Sequence, residues 1–149
     1  MEKIKNEELR KLNEVEHRLN ELHFIHYDTP PSTQHIYNYR AIGRNKLTKY
    51  MNPKAKKFKS ELIKTIKAQL PDNWKPLNKD MRLNAFIELT FPTQHKHDVD
   101  NYSKLILDSM NKLVYDDDSQ ILLCSVNKKY EKGEPRVRIT ICEKWRNQE

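Results

Sequence analysis

The chain reads as an α+β fold, a single domain in which a small mixed β-sheet carries flanking helices, with an extra helix at the N-terminus. Apolar residues spaced three and four apart alternate with stretches spaced two apart, in the order α-β-α-β-α-β-β. The 149 residues suit one domain with a real core. Hydrophobic residues (36%) and charged residues (33%) are balanced as in a polar globular chain rather than a disordered one, and no repeat or low-complexity tract divides it.

Residues 3–22 have helical spacing, which makes 1–22 an N-terminal helical extension before a domain over 23–149. Leu12, Val15, Leu19 and Leu22 form a seam spaced three, four and three. Two heptads are short for a coiled coil, so packing onto its own domain is expected ahead of pairing with another chain. Phe24 to Tyr27 reads as a strand, stopped by Pro30-Pro31-Ser32. A basic loop is expected from about Gln34 to Met51. Asn52 and Pro53 then start a helix as cap and first residue, with Ala55, Phe58, Leu62, Ile66 and Leu70 as its apolar stripe. Pro71 and Pro76 bracket a connection.

Arg82 to Phe91 alternates with period two, placing Leu83, Ala85, Ile87, Leu89 and Phe91 on one face of a strand. After a loop over Thr93 to Val99, Asp100 is placed to cap a helix running to about Leu113, with Leu105, Ile106, Met110 and Leu113 buried. Tyr115 to Ser119 reads as a turn. Strands over Gln120–Tyr130 and Arg136–Cys142 follow, joined by Glu131–Pro135 as a hairpin. In such a hairpin Cys124 and Cys142, each nine residues from Gly133, would be cross-strand neighbours and free thiols.

Composition excludes several function classes. With two glycines, no Gly-rich phosphate loop exists. No apolar run approaches the roughly 18 residues of a membrane span. The first residues, MEKIKNEELRK, do not resemble a signal peptide, so a cytoplasmic location is expected. Net charge is +7, which favours an anionic partner, nucleic acid before membrane. The charge is concentrated: Arg40 to Lys67 holds ten Lys or Arg and one acid, Glu61. The plain reading is a solvated helix face plus a loop; the one-sidedness favours a surface that follows phosphates, because salt-bridged faces normally mix signs.

The acids are concentrated as well. Asp98 and Asp100 precede and open the third helix, and Asp116-Asp117-Asp118 follow it. Carboxylates gathered in a basic chain call for a cation, and oxygen-only donors suit Mg²⁺ or Mn²⁺. Lys104 lies one turn after Asp100 on the same helix face, where an ammonium could steady a phosphate oxygen. Asp108 and Asn111 continue that polar face. The plain structural alternative makes Asp100 a cap and the Asp triplet a turn. An EF-hand does not fit, because Ser103 and Ser109 stand where its loop needs Gly and Glu. An isolated Asp-x-Asp of the sugar-nucleotide type is a weak signal. His95 and His97 with Asp98 and Cys124 would make a conceivable zinc set, though loop histidines beside Lys96 more often meet solvent or phosphate.

Asp98-Val99-Asp100-Asn101-x-x-Lys104, then Asp108, then Tyr115-x-Asp117-Asp118-x-Gln120-Ile121, resembles the signature of the RusA family of Holliday junction resolvases. The resemblance covers about residues 23–142 and includes the Pro30-Pro31-Ser32 start, the basic loop and the lysine-rich helix. It implies a Mg²⁺-dependent, structure-specific endonuclease that acts on four-way DNA junctions as a homodimer. By position it implies that Asp98, Asp100 and Asp118 bind metal and that Lys104 is the essential lysine, with Asp117 behind the metal ligands. DNA contacts are expected from Arg40, Arg44, Lys46, Lys49, Lys54, Lys56, Lys57, Lys96 and His97. Two features depart from the family pattern: the N-terminal extension, and His97 where a basic residue often precedes the first Asp. A junction-binding protein without catalysis is the alternative, and it shares the same basic surface.

Overall fold

The computed structural model describes residues 3–29, 37–93 and 99–144, and within them the side chains other than those of residues 19, 37–39 and 99–101. Lys96, His97 and Asp98 therefore lie outside the described residues, as do His95 and the Pro30-Pro31-Ser32 segment.

The body is an α+β domain. The elements are α1 (Asn6–Glu16), β1 (Glu21–His26), β2 (Tyr37–Gly43), β3 (Lys46–Met51), α2 (Pro53–Gln69), β4 (Leu83–Phe91), α3 (Val99–Ser109), β5 (Ile121–Tyr130) and β6 (Arg136–Glu143). Four strands form one sheet in the order β1-β6-β4-β5, and β2 and β3 form a separate two-stranded sheet. β4 is antiparallel to β6 and parallel to β5, so α3 is the crossover that a parallel pair requires. The expected alternation of β4 holds: Leu83, Ala85, Ile87, Leu89 and Phe91 are buried against the stripes of α2 and α3.

α2 begins where Asn52 and Pro53 place it. The Asn52 Oδ1 accepts from the Lys54 N–H at 2.9 Å, and Ala55, Phe58, Leu62 and Ile66 are buried. α1 packs on its own domain, as expected, but through Leu9 and Asn13; Leu12 and Val15 of the apparent seam are exposed. The helix also ends earlier than its periodicity suggests. After Glu16 a single 3₁₀ turn (His17–Leu19) and a left-handed Asn20 redirect the chain, and Leu22 belongs to β1.

Two side-chain amides close the free edge of β1. Asn13 donates to the His23 carbonyl at 2.7 Å and accepts from the His23 N–H at 2.7 Å. Gln69 accepts from the Ile25 N–H at 3.0 Å and donates to the Ile25 carbonyl at 2.8 Å. Both amides are fully buried and take the place of a neighbouring strand.

Three further expectations are corrected. The basic loop from 34 to 51 contains the β2–β3 hairpin. Its tyrosines, Ile42, Leu47 and Thr48 are strand formers, and the turn at Gly43–Asn45 joins them; the charges between had masked the pattern. β5 and β6 are not a hairpin, because β4 lies between them and pairs with both. Cys124 therefore sits beside Ala85, and Cys142 between Glu21 and Asn84, so the two thiols are free but not neighbours. Burial raises the pKa of each. Finally, Asp100 lies inside the first turn of α3 rather than ahead of it, and α3 stops at Ser109, whose hydroxyl donates back to the Leu105 carbonyl at 2.7 Å. Among the described residues no helix is long and apolar enough to cross a membrane.

Candidate active site

The chain between α3 and β5 is held rigidly. Tyr115 is fully buried and its hydroxyl donates to the Leu107 carbonyl at 2.6 Å. The connection Asn73–Met81 straps this segment down through the bonds Leu77 N–H to Val114 O (2.9 Å) and Asp116 N–H to Leu77 O (3.1 Å). Asp118 then opens a 3₁₀ turn (Asp118–Gln120) that leads straight into β5. Asp117 caps the turn, accepting from the backbone N–H and the hydroxyl of Ser119. Those bonds hold its carboxyl below the usual range. Gln120 closes the reciprocal half: its Oε1 accepts from the Asp117 N–H at 2.9 Å, and its buried amide donates to the Asn78 carbonyl at 2.7 Å. The Asp-Asp-x-Gln pattern is thus a clamp that fixes where Asp118 stands. Asp116 turns the other way, onto Lys112 at 2.8 Å.

The side chain that meets Asp118 is Asp108, from the last turn of α3. Burial first, then Asp118, raise the Asp108 pKa, while Lys59 of α2 and Lys104 pull it back. Burial and the neighbouring charges of Asp118 and Asp108 push the Tyr115 phenol far above its ordinary range. Lys104 is exposed, one turn before Asp108. Asp100, Lys104 and Asp108 thus lie four residues apart on one side of α3, and the helical rise separates the Asp100 and Asp108 backbones by about 12 Å. The structure brings together Asp108, Asp118 and the Lys104 charge. Asp100 stands two turns up the same helix.

The basic residues occupy two places. Arg40, Arg44, Lys46 and Lys49 are on the exposed β2–β3 hairpin, and Lys54, Lys56 and Lys57 on the first, exposed turns of α2. The Arg40 guanidinium lies 5.3 Å over the Tyr50 ring.

The sequence profile of the family Endodeoxyribonuclease RusA matches residues 28–142. The chain belongs to this family. The matched span contains every element from β2 to β5 and all but the last residue of β6, while α1 and the whole of β1 precede it. An uncharacterized protein of Bacillus subtilis (strain 168), YqaN, is 50% identical over 48 residues, which are 32% of this chain and 33% of YqaN. The match therefore spans about a third of that relative's length.

For this RusA-family chain the structure brings to the site two residues to which the sequence assigns no metal-binding or catalytic role. Asp108 was visible as the third member of the Asp100, Lys104, Asp108 row, but its contact with Asp118 depends on the return of the chain along α3. Lys59 is one of ten basic residues between Arg40 and Lys67, and nothing local marks it as the one whose charge reaches Asp108. Among the described residues, the three-member group close enough to hold a metal is elsewhere, at the start of β1: Glu16, Glu21 and His23. There the His23 Nε2 pairs with Glu21 at 3.3 Å, and Thr140 lies 3.3 Å from the other ring nitrogen.

Proposed function

We propose that this RusA-family protein is a Mg²⁺-dependent endonuclease that resolves four-way DNA junctions by paired phosphodiester hydrolysis. The observation that carries the reading is the acidic pair Asp108–Asp118 beside Lys104, within a chain that the family profile matches over residues 28–142. The donor chemistry fits a hard divalent cation. All candidate ligands are carboxylate oxygens, and the burial and the neighbouring Asp118 that together raise the Asp108 pKa are what a bound cation would offset. Asp98, Asp100 and Asp118 would hold the ion, with Asp108 joining from α3; Mn²⁺ would serve in place of Mg²⁺. Bound there, such an ion supplies a water of lowered pKa as nucleophile.

The chain's own residues do the rest. Lys104 meets a non-bridging phosphate oxygen and steadies its growing negative charge. Gln120 and Asp117 keep the Asp118 backbone fixed while charge accumulates. Arg40, Arg44, Lys46, Lys49, Lys54, Lys56 and Lys57, together with Lys96 and His97 before Asp98, hold backbone phosphates and so read the shape of the branch.

Two nicks in opposed strands require two sites, which a two-fold homodimer provides. Exposed apolar side chains offer a second copy two seats, Leu12 with Val15 on α1, and Leu122 with Leu123 on β5. Deleting residues 1–22 would not separate them cleanly, because it also removes Asn13 from the β1 edge and Leu22 from the core. Leu12→Glu/Val15→Glu and Leu122→Glu/Leu123→Glu, each compared with wild type by light scattering, distinguish the two.

The activity test is a labelled four-way junction with Mg²⁺. Wild type cuts opposed strands, Asp118→Asn and Asp100→Asn do not, and Asp108→Asn is impaired. If wild type binds the junction and leaves it intact, the protein is a binder and the nuclease reading is wrong.

A further inference from the structure

The β2–β3 hairpin is an arm rather than part of the body. Its two strands pair with each other in a sheet of their own, and its root is Met51, which packs against the core. Along β3 only Thr48 and Met51 are half-buried; the other residues are exposed. A six-residue strand reaches about 20 Å, the scale of a duplex width. At the far end two large apolar side chains face solvent: Ile42 is 61% exposed and Leu47 70%. They flank the turn at Gly43–Asn45, at the point where the register of β2 against β3 shifts. Around them are Arg40, Arg44, Lys46 and Lys49, and no acid lies between Arg40 and Lys59.

An exposed apolar tip is costly unless something covers it. The surrounding charge is of one sign, which disfavours a second copy of the same basic tip and favours a polyanion. Apolar side chains framed by cations are the combination that enters a nucleic acid between base steps: the cations hold the phosphates and the apolar groups replace lost stacking.

We infer that Ile42 and Leu47 form a wedge that enters the branch point of a DNA junction and unstacks the base pairs there, while the four cations hold the flanking phosphates. This rests on the junction reading for its substrate, and it adds a role for residues that carry no charge. Strands exchange partners at a branch, so a base step there lacks the two continuous backbones that hold a duplex step together, and the wedge meets a smaller cost of opening at the branch than within a duplex. The arm would then supply discrimination between branched and linear DNA that phosphate contacts alone do not give.

The test uses a four-way junction carrying 2-aminopurine beside the branch, with Ca²⁺ in place of Mg²⁺, and the full chain. Wild type should raise the fluorescence severalfold. Ile42→Thr/Leu47→Thr, which keeps strand-forming residues, should abolish the rise while junction affinity falls no more than about threefold, because the phosphate contacts remain. Ile42→Phe/Leu47→Phe should restore it. An equal rise with the Thr pair, or no rise with wild type, overturns the wedge. So does a drop in the molecular mass of the DNA-free protein on the Thr substitution, which would assign the tip to a contact between copies. Mg²⁺ reactions separate this from the nuclease reading. A wild type that opens the branch but never cuts supports the wedge and removes the nuclease; one that cuts without opening does the reverse.

Discussion

In the body, the edge of β1 ends on two buried amides that satisfy its outward backbone groups; in the arm, the described side chains of β2 (residues 40–43) and most of those of β3 are exposed and include apolar side chains held out to solvent. The body spends polar groups to prevent further pairing. The arm leaves its surface open and guards it with charge of a single sign. A strand edge can thus be made safe by satisfying it or by making its only acceptable neighbour a polyanion. The first choice ties the edge to stability, the second to binding, and the two should separate experimentally.

The largest effect should come from the body. Gln69→Leu strands the Ile25 N–H and carbonyl in the interior, at a cost of about 3 kcal/mol, read from urea denaturation. The same measurement on Arg44→Ala, on the arm, should change by no more than about 0.5 kcal/mol. An equal loss for both would erase the distinction between the regions. Next is the candidate site. Asp118→Asn should slow junction cleavage on the order of 100-fold or more at unchanged thermal stability, since the clamp of Asp117 and Gln120 acts through backbone. A matching drop in stability would mean that Asp118 is part of the scaffold.

A smaller effect belongs to the arm. Replacing Arg44, Lys46 and Lys49 by Ala together should weaken junction binding about tenfold at low salt and flatten its salt dependence by two to three phosphate contacts, roughly. An unchanged slope would exclude the arm as a phosphate contact. The smallest effect returns to the body. Burial lowers the His26 pKa below its ordinary 6.5, with Asp28 and Glu61 partly opposing. As pH falls below about 6.5, the unfolded chain takes up the proton before the folded one does, so stability falls with it. His26→Gln, which can still bond Thr65, should flatten the decline between about pH 7.5 and 5.5. A decline identical to wild type would place the titration elsewhere.

Sequence periodicity foretold the elements that bury a stripe. α2 starts at its Asn-Pro pair, and β4 shows its alternation, because local chemistry and core burial agree there. It failed where partners come from far along the chain. Glu131–Pro135 has the composition of a hairpin turn, yet β4 takes the place between β5 and β6, and no local signal reports that. Asn13 and Gln69 look like ordinary polar residues within helices, and their role exists only because β1 ends beside them. The candidate site was legible as a set of residue types. Asp118 and Lys104 each bear on Asp108, but the meeting of Asp108 with Asp118 needs the chain to return along α3, and spacing alone could not supply it.

The pairing of β1 with β6 joins Glu21 to Cys142, among the most distant partners in the fold. During synthesis, β1 leaves the ribosome early and must wait through the making of the arm, α2, β4, α3 and β5 before its neighbour exists. Its other edge can be closed as soon as Gln69 emerges. The two amides that finish the β1 edge in the folded protein would then also shelter it in the nascent one, holding an unpaired strand away from other growing chains until β6 arrives.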